Sequence, residues 1–146
     1  MGVEISEKAM DTAESWIRTA EVMAENKVYN TCLYSEEMAV EIALKAVLLA
    51  LGIDPPKNHN IIETVENNIV NSHKIPKGIK DEIREVVRSL LPELLSNRQT
   101  SGYTFNYNID IESLEVIAFR YLEPSKKAVL LCKNVIKQIS KNVIKK

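Results

Sequence analysis

Apolar residues recur every three or four positions along most of this chain, which is the spacing that places them on one face of an α-helix. In the first segment these residues are Ala9, Ala13, Trp16, Ile17, Ala20 and Met23. Ser6 is well placed to cap this helix, which the pattern predicts to run to about Glu25. A second run predicts a helix over about 28–51, because Gly52 suits the left-handed position after a helix and the prolines beyond it cannot continue one.

The middle of the chain is predicted to hold two shorter helices and one long loop. Asn58 or Asn60 can cap the first of these helices, and a further amphipathic run predicts the second from Gly78 to Pro92, which ends or kinks it. Residues 96–108, SNRQTSGYTFNYN, are polar and have no helical period. We therefore expect an irregular loop there, of the kind that often carries function.

The last apolar run, over 114–143, keeps its helical spacing across Pro124 and predicts either one long kinked helix or two abutting ones. Four glycines, five prolines and 5% aromatic residues also favour helices over short strands with their turns. The expected fold class is all-α, an antiparallel up-and-down bundle of four core helices with a short extra helix. A chain of 146 residues suits a single domain over 1–146.

The sequence predicts a cytoplasmic protein with no membrane span. The longest strongly apolar run, about 42–51, contains Lys45 and is about half the length that a bilayer requires. The acidic N-terminal segment lacks the pattern of a signal peptide. Cys32 and Cys132 lie far apart in apolar helical patterns, so we expect two buried thiols rather than a disulfide. With two histidines in the chain, no metal site and no cofactor are expected.

Charge is distributed unevenly, although the net charge of −1 gives the whole protein no general attraction to nucleic acid. The first helix is acidic, whereas the chain from Lys126 onward holds seven lysines and no acid. Four of these lysines recur every four residues: Lys133, Lys137, Lys141 and Lys145. This stripe could bind phosphate, but the lack of interleaved arginines or aromatics favours a solvated face or pairing with the acidic first helix.

One stretch of the sequence resembles a known family. Residues 16–61 read WIRTAEVMAENKVYNTCLYSEEMAVEIALKAVLLALGIDPPKNHNI. The pattern around Trp16 and Ala20, the helix ending EIALKAVLLALG and the loop that contains His59 resemble the HEPN (higher eukaryotes and prokaryotes nucleotide-binding) domain family. The last helix, with Ala128 and Val129, also fits this resemblance.

The resemblance implies a bundle of four core helices that usually forms a homodimer. Some family members are paired with minimal nucleotidyltransferases in toxin–antitoxin operons, and others are metal-independent ribonucleases. The ribonucleases carry an arginine, four to six residues, and then a histidine. Here Arg98 is followed by QTSG and then Tyr103, and no histidine stands at positions 103 to 105.

The missing histidine weakens the ribonuclease interpretation. An imidazole titrates near neutrality and can accept a proton from a ribose hydroxyl, whereas a phenol, with an ordinary pKa of about 10, rarely can. Arg98 still offers a planar fork for phosphate, and Tyr103, Phe105 and Tyr107 could stack on a base. Arg98 and Tyr103 are therefore the first candidates for a site, with a surface arginine beside packed tyrosines as the alternative.

Three other residues, His59, Glu41 and Lys45, are candidate ligand-binding residues. His59 matches a position of the family, although a histidine there more often caps or packs a helix. Glu37, Glu41 and Lys45 lie four residues apart on one stripe of the second helix. The stripe is either a surface ladder of ion pairs or, as the resemblance implies, the lining of a cleft or a dimer seam. Tyr34, nearby, is expected to be a core or interface aromatic.

Two functions are compatible with these expectations. The first is a homodimeric module that binds a nucleotide, an RNA end or a nucleotidyltransferase partner without chemistry, as in a toxin–antitoxin system. The second is a metal-independent ribonuclease in which Arg98 and Tyr103 replace the usual arginine and histidine. The first is favoured because the histidine is absent.

Overall fold

Helices account for most of the structure, a computed structural model that describes the backbone of residues 2–144 and the side chains of residues 2–141. The helices are α1 Gly2–Glu25, α2 Tyr29–Ala50, α3 Ile62–Val65, α4 Lys77–Glu85, α5 Leu91–Gly102 and α6 Glu115–Ile144. Within this described part no strand is present, which confirms the all-α class.

Two wide π-helical turns extend the middle helices. Glu66–Val70 prolongs α3, and Val86–Leu90 joins α4 to α5 into one rod. Pro92 does not end this rod, which continues from the π-helical turn Val86–Leu90 directly into α5. The predicted loop over 96–108 is therefore wrong up to Gly102, and the chain between α5 and α6 includes two short 3₁₀ turns, Thr104–Tyr107 and Ile111–Leu114.

The ends of the first two helices agree with the sequence pattern except at one point. α1 begins at Gly2, so Ser6 is not its cap. Ser6 is instead buried inside the helix and its hydroxyl donates a hydrogen bond to the Val3 carbonyl over 2.6 Å. Gly52 does come after α2 in the left-handed region, with a φ of 80°.

Four long rods form the predicted up-and-down bundle: α1, α2, the joined α4 and α5, and α6. α1 and α2 are antiparallel neighbours, and α6 runs back along α1, since Lys126 lies 3.4 Å from Glu21 and Lys133 lies 3.1 Å from Glu14. These ion pairs favour the expectation that the lysine-rich helix meets the acidic one. Lys145 lies outside the described residues.

The core is built around α2, in which 14 of 22 residues are buried. α1 packs closely along it, because the buried face of α1 is largely small and includes Ala13, Ala20 and Ala24. α6 is one helix through Pro124, which resolves the choice between one kinked helix and two. Neither this helix nor any other in the described residues is long and apolar enough to cross a membrane.

The interior of α2 also contains a polar pair. Cys32 and Glu36 are fully buried, and the thiol of Cys32 donates to Glu36 Oε2 over 3.4 Å. Within the described part of the chain, Oε1 of Glu36 has no hydrogen-bond partner. Burial raises the pKa of Glu36 to about 8, with the Cys32 hydrogen bond opposing that rise. Cys132 is also buried and free, so both thiols are placed as predicted.

Candidate functional site

Arg98 reaches from α5 to α2 and makes the densest set of polar contacts in the described structure. Its Nη1 donates to Glu37 Oε2 and lies 3.7 Å from Glu41 Oε1. Its Nη2 donates to the Tyr34 hydroxyl over 3.0 Å, and the guanidinium carbon lies 4.7 Å from the centre of the Tyr34 ring. The edge-on packing of Trp16 against that ring, with centroids 6.0 Å apart, holds the tyrosine in position.

Glu37 and Glu41 lie one turn apart on α2, and both are buried, with 0% and 2% exposure of their side chains. The surface ladder of ion pairs considered from the sequence is therefore wrong for these two residues. Their stripe is enclosed because α2 is covered on most sides, so the carboxylates meet Arg98 instead of water.

Lys45 and His59 also contact the Glu41 carboxylate. Lys45 Nζ lies 3.1 Å from Glu41 Oε2 and donates to the Asn58 carbonyl over 3.1 Å. His59 Nδ1 lies 3.0 Å from Glu41 Oε1. The exposed fractions are 19% for Lys45 and 52% for His59, so these two groups connect the buried carboxylates to solvent. We call Arg98, Glu37, Glu41, Lys45 and His59 the Arg98 cluster.

The two carboxyl groups of the cluster differ in proton affinity. Burial raises the pKa of Glu37, and its hydrogen bond to Glu41 raises it further, against the opposing effect of Arg98. Burial also acts on Glu41, but hydrogen bonds from Glu37, Lys45 and His59 outweigh it and lower the pKa of Glu41. A proton shared between the two groups therefore resides on Glu37, whose Oε1 has no hydrogen-bond partner among the described residues.

Glu37, Glu41 and His59 could each offer one ligand atom to a metal ion, and these atoms lie within 4.8 Å of one another. The chemistry of their neighbours does not fit a divalent cation. Arg98 and Lys45 already contact the same carboxylates, so an added ion would lie within a few ångströms of two fixed positive charges. A proton bound between Glu37 and Glu41 relieves the repulsion of the two carboxylates and adds less positive charge beside Arg98 and Lys45 than a divalent cation would.

Among the candidates from the sequence, the structure brings Arg98, Glu41, Lys45 and His59 together. Tyr103 instead lies just beyond the end of α5, is 53% exposed, and packs edge-on against Phe105 with centroids 6.1 Å apart. Phe105 and Tyr107 are also exposed. Tyr103 is thus not among the residues whose polar atoms bond Arg98.

Glu37 and Tyr34 were not identified from the sequence as partners of Arg98. The sequence did contain a sign that the polar stripe of α2 is buried, because a helix that is apolar on most sides buries any polar stripe it carries. Recognising it required knowing that α5 covers this side of α2.

Comparison with known proteins identifies one family. A family model described as HEPN domain matches residues 6–115, which is most of the chain. The search of curated proteins and the search of solved structures find no match. The match includes Arg98 and every other residue of the Arg98 cluster. The chain therefore belongs to the HEPN domain family.

Proposed function

We propose that this HEPN domain binds the phosphate of a nucleotide or an RNA end at the Arg98 cluster and does not cleave it. One observation carries the proposal: Arg98, Lys45 and His59, from three separate segments, converge on the buried carboxylate of Glu41. Buried carboxylates fix such side chains in place, and a preorganised set of donors binds an anion with little loss of side-chain freedom.

The charge of the cluster supports an anionic ligand. With the proton on Glu37, the charges of Arg98 and Lys45 oppose only that of Glu41, which leaves the cluster net positive. Nδ1 of His59 faces the Glu41 carboxylate, so Nε2 is the ring nitrogen left for a ligand, and it donates a hydrogen bond only in the imidazolium form. Phosphate oxygens are the natural acceptors for such donors.

Calorimetric titration with ATP and with a short 5′-phosphorylated RNA tests the binding proposal. We expect Lys45→Ala and His59→Ala each to weaken binding by about tenfold, because each removes one charged or polar donor. His73→Ala and Lys74→Ala remove the same residue types from an exposed segment outside the cluster and serve as matched controls. The absence of binding for both ligands, or equal affinity of Lys45→Ala and the unchanged chain, would contradict the proposal.

A ribonuclease is the second candidate, and one observation favours it. His59 and Glu41 form an imidazole–carboxylate pair close to Arg98, which is an arrangement suited to proton transfer. This version uses His59, whereas the version from the sequence pairs Arg98 with Tyr103. An assay of RNA cleavage in the presence of EDTA distinguishes the two versions of the ribonuclease. If His59→Ala abolishes cleavage, His59 is the residue that transfers the proton. If Tyr103→Phe abolishes cleavage, the version that pairs Arg98 with Tyr103 is supported. Any cleavage that Arg98→Ala abolishes overturns the non-catalytic proposal.

We further propose that the protein acts as a cytoplasmic homodimer, with a minimal nucleotidyltransferase as a candidate partner in a toxin–antitoxin-like system. Six of the nine large hydrophobic side chains that are exposed in the described part of the chain lie in residues 103–119, which supports a self-association surface there. Light scattering tests the dimer, and a mass of only 16.5 kDa at micromolar concentration contradicts it. Co-purification with the product of a neighbouring nucleotidyltransferase gene tests the partner.

A further inference from the structure

A groove with a volume of about 550 Å³ lies between the α4–α5 rod and α6, away from the Arg98 cluster. Its floor is apolar and includes Val86, Leu90, Ala128 and Leu131. The α4–α5 wall extends from Glu82 to Glu93 and the α6 wall from Arg120 to Leu131. At about 1.5 Å per residue, each wall is roughly 16 Å long, or three helical turns. This feature is named the α4–α6 groove.

The two walls of the α4–α6 groove carry opposite charge. Glu82, Glu85 and Glu93 line the α4–α5 wall, whereas Arg120 and Lys127 line the α6 wall. Among the described residues, none of these five forms an ion pair within 4.0 Å. Glu93 and Arg120 both lie close to the Tyr121 hydroxyl, whereas Glu82, Glu85 and Lys127 remain available to a molecule that lies in the groove.

Both walls are irregular helices. The π-helical turn Val86–Leu90 widens one wall at the middle of the groove, and such turns often occur at functional sites. Pro124, in the other wall, has no N–H, so the carbonyl of Arg120 one turn earlier lacks its usual helical donor.

We propose that the α4–α6 groove binds one amphipathic helix of a partner protein. The apolar stripe of that helix lies on the floor, a flank of lysine or arginine faces Glu82, Glu85 and Glu93, and a flank of aspartate or glutamate faces Arg120 and Lys127. The three-turn length, the open apolar floor and the paired charge pattern all fit a helix bound in a groove.

Other occupants fit less well. The acidic wall repels the phosphates of a nucleic acid. A second copy that presented the same concave surface would leave both floors unfilled, since neither copy inserts a ridge into the other. None of the groove residues belongs to the Arg98 cluster, so this proposal is independent of phosphate binding there.

Designed peptides test the proposal by fluorescence anisotropy with the full chain. The mixed peptide has a leucine stripe flanked by lysines on one side and glutamates on the other, and two comparison peptides carry only lysine or only glutamate flanks. We expect the mixed peptide to bind tightest. Lys127→Glu leaves the α6 wall with one arginine and one glutamate and so removes its net positive charge, which should weaken binding of the mixed peptide by about tenfold and strengthen binding of the all-lysine peptide.

Two further variants complete the experiment. Ser89→Trp places a large ring in the groove from an exposed position and should abolish binding, whereas Lys137→Glu reverses a charge on α6 outside the groove and should leave it unchanged. Thermal melts verify that each variant is folded. The proposal is overturned if the three peptides bind equally or not at all, if 5′-phosphorylated RNA competes for the groove, or if Ser89→Trp converts a dimer into a monomer.

Discussion

Replacing the buried Glu36 by glutamine gives the sharpest test of the polar interior of α2. Glu36 is fully buried, Cys32 is its hydrogen-bond donor, and burial raises its pKa from the ordinary 4.5 to about 8. A group whose pKa is raised on folding contributes stability below its unfolded pKa and loses that contribution as the pH rises through its folded pKa. The stability of the protein should therefore fall between about pH 4.5 and pH 8.

The magnitude can be worked out from the same two pKa values. A tenfold difference in proton affinity corresponds to about 1.4 kcal/mol, so a pKa of about 8 in place of 4.5 corresponds to on the order of 5 kcal/mol. This is a large share of the ~5–15 kcal/mol by which small domains are usually stable. Glu36→Gln keeps the shape of the side chain and cannot ionise, so it removes this dependence.

Urea unfolding followed by circular dichroism at intervals from pH 5 to pH 9 measures the effect. We expect Glu36→Gln to lose less stability than the unchanged chain across this range, with roughly half of the slope remaining because the pKa of Glu37 is raised in the same direction. Glu85→Gln, on the surface of α4, is the matched control and should behave like the unchanged chain. Parallel curves for Glu36→Gln and the unchanged chain would refute the reasoning.

Two other predictions concern the packing of α1. A double-mutant cycle on Lys133 and Glu14 should give a coupling of about 0.2–1 kcal/mol that declines in high salt, because both side chains are partly exposed; a coupling insensitive to salt would contradict the assignment as a screened ion pair. Ala20→Leu should destabilise the protein by about 1–3 kcal/mol in urea unfolding, since Ala20 is fully buried. Val22→Leu, at an exposed position of the same helix, should stay within about 0.5 kcal/mol, and equal effects of the two substitutions would show that α1 is loosely packed.

The main helices could be predicted because their buried faces are apolar and regularly spaced. Gly52 marked the end of α2 for a local reason, the left-handed backbone. The segment from Ser96 to Gly102 was missed because its main contact with α2 is polar: Arg98 meets the buried carboxylates and Tyr34. Hydrophobic periodicity cannot detect a helix that is held by polar contacts.

The candidate site was predicted residue by residue but not as an arrangement. Arg98, Lys45 and His59 were each identified, yet their convergence on Glu41 depends on how α5 and the segment before α3 are placed around α2. The burial of Glu37 depends on the same placement. The α4–α6 groove was not predicted, because the separation of two helices is set by tertiary packing.

The neighbouring carboxylates Glu36 and Glu37 have a consequence for the alignment of the helices. They are consecutive in α2, so they project about 100° apart, and they engage different partners, Cys32 and Arg98. If α2 slid along α5 by one turn, Glu37 would move about 5.4 Å from the guanidinium, and the hydrogen bond between the two groups would be lost in a dry interior. The bonds from Arg98 to Glu37 and to Tyr34 therefore help to fix the axial position of α2 against α5.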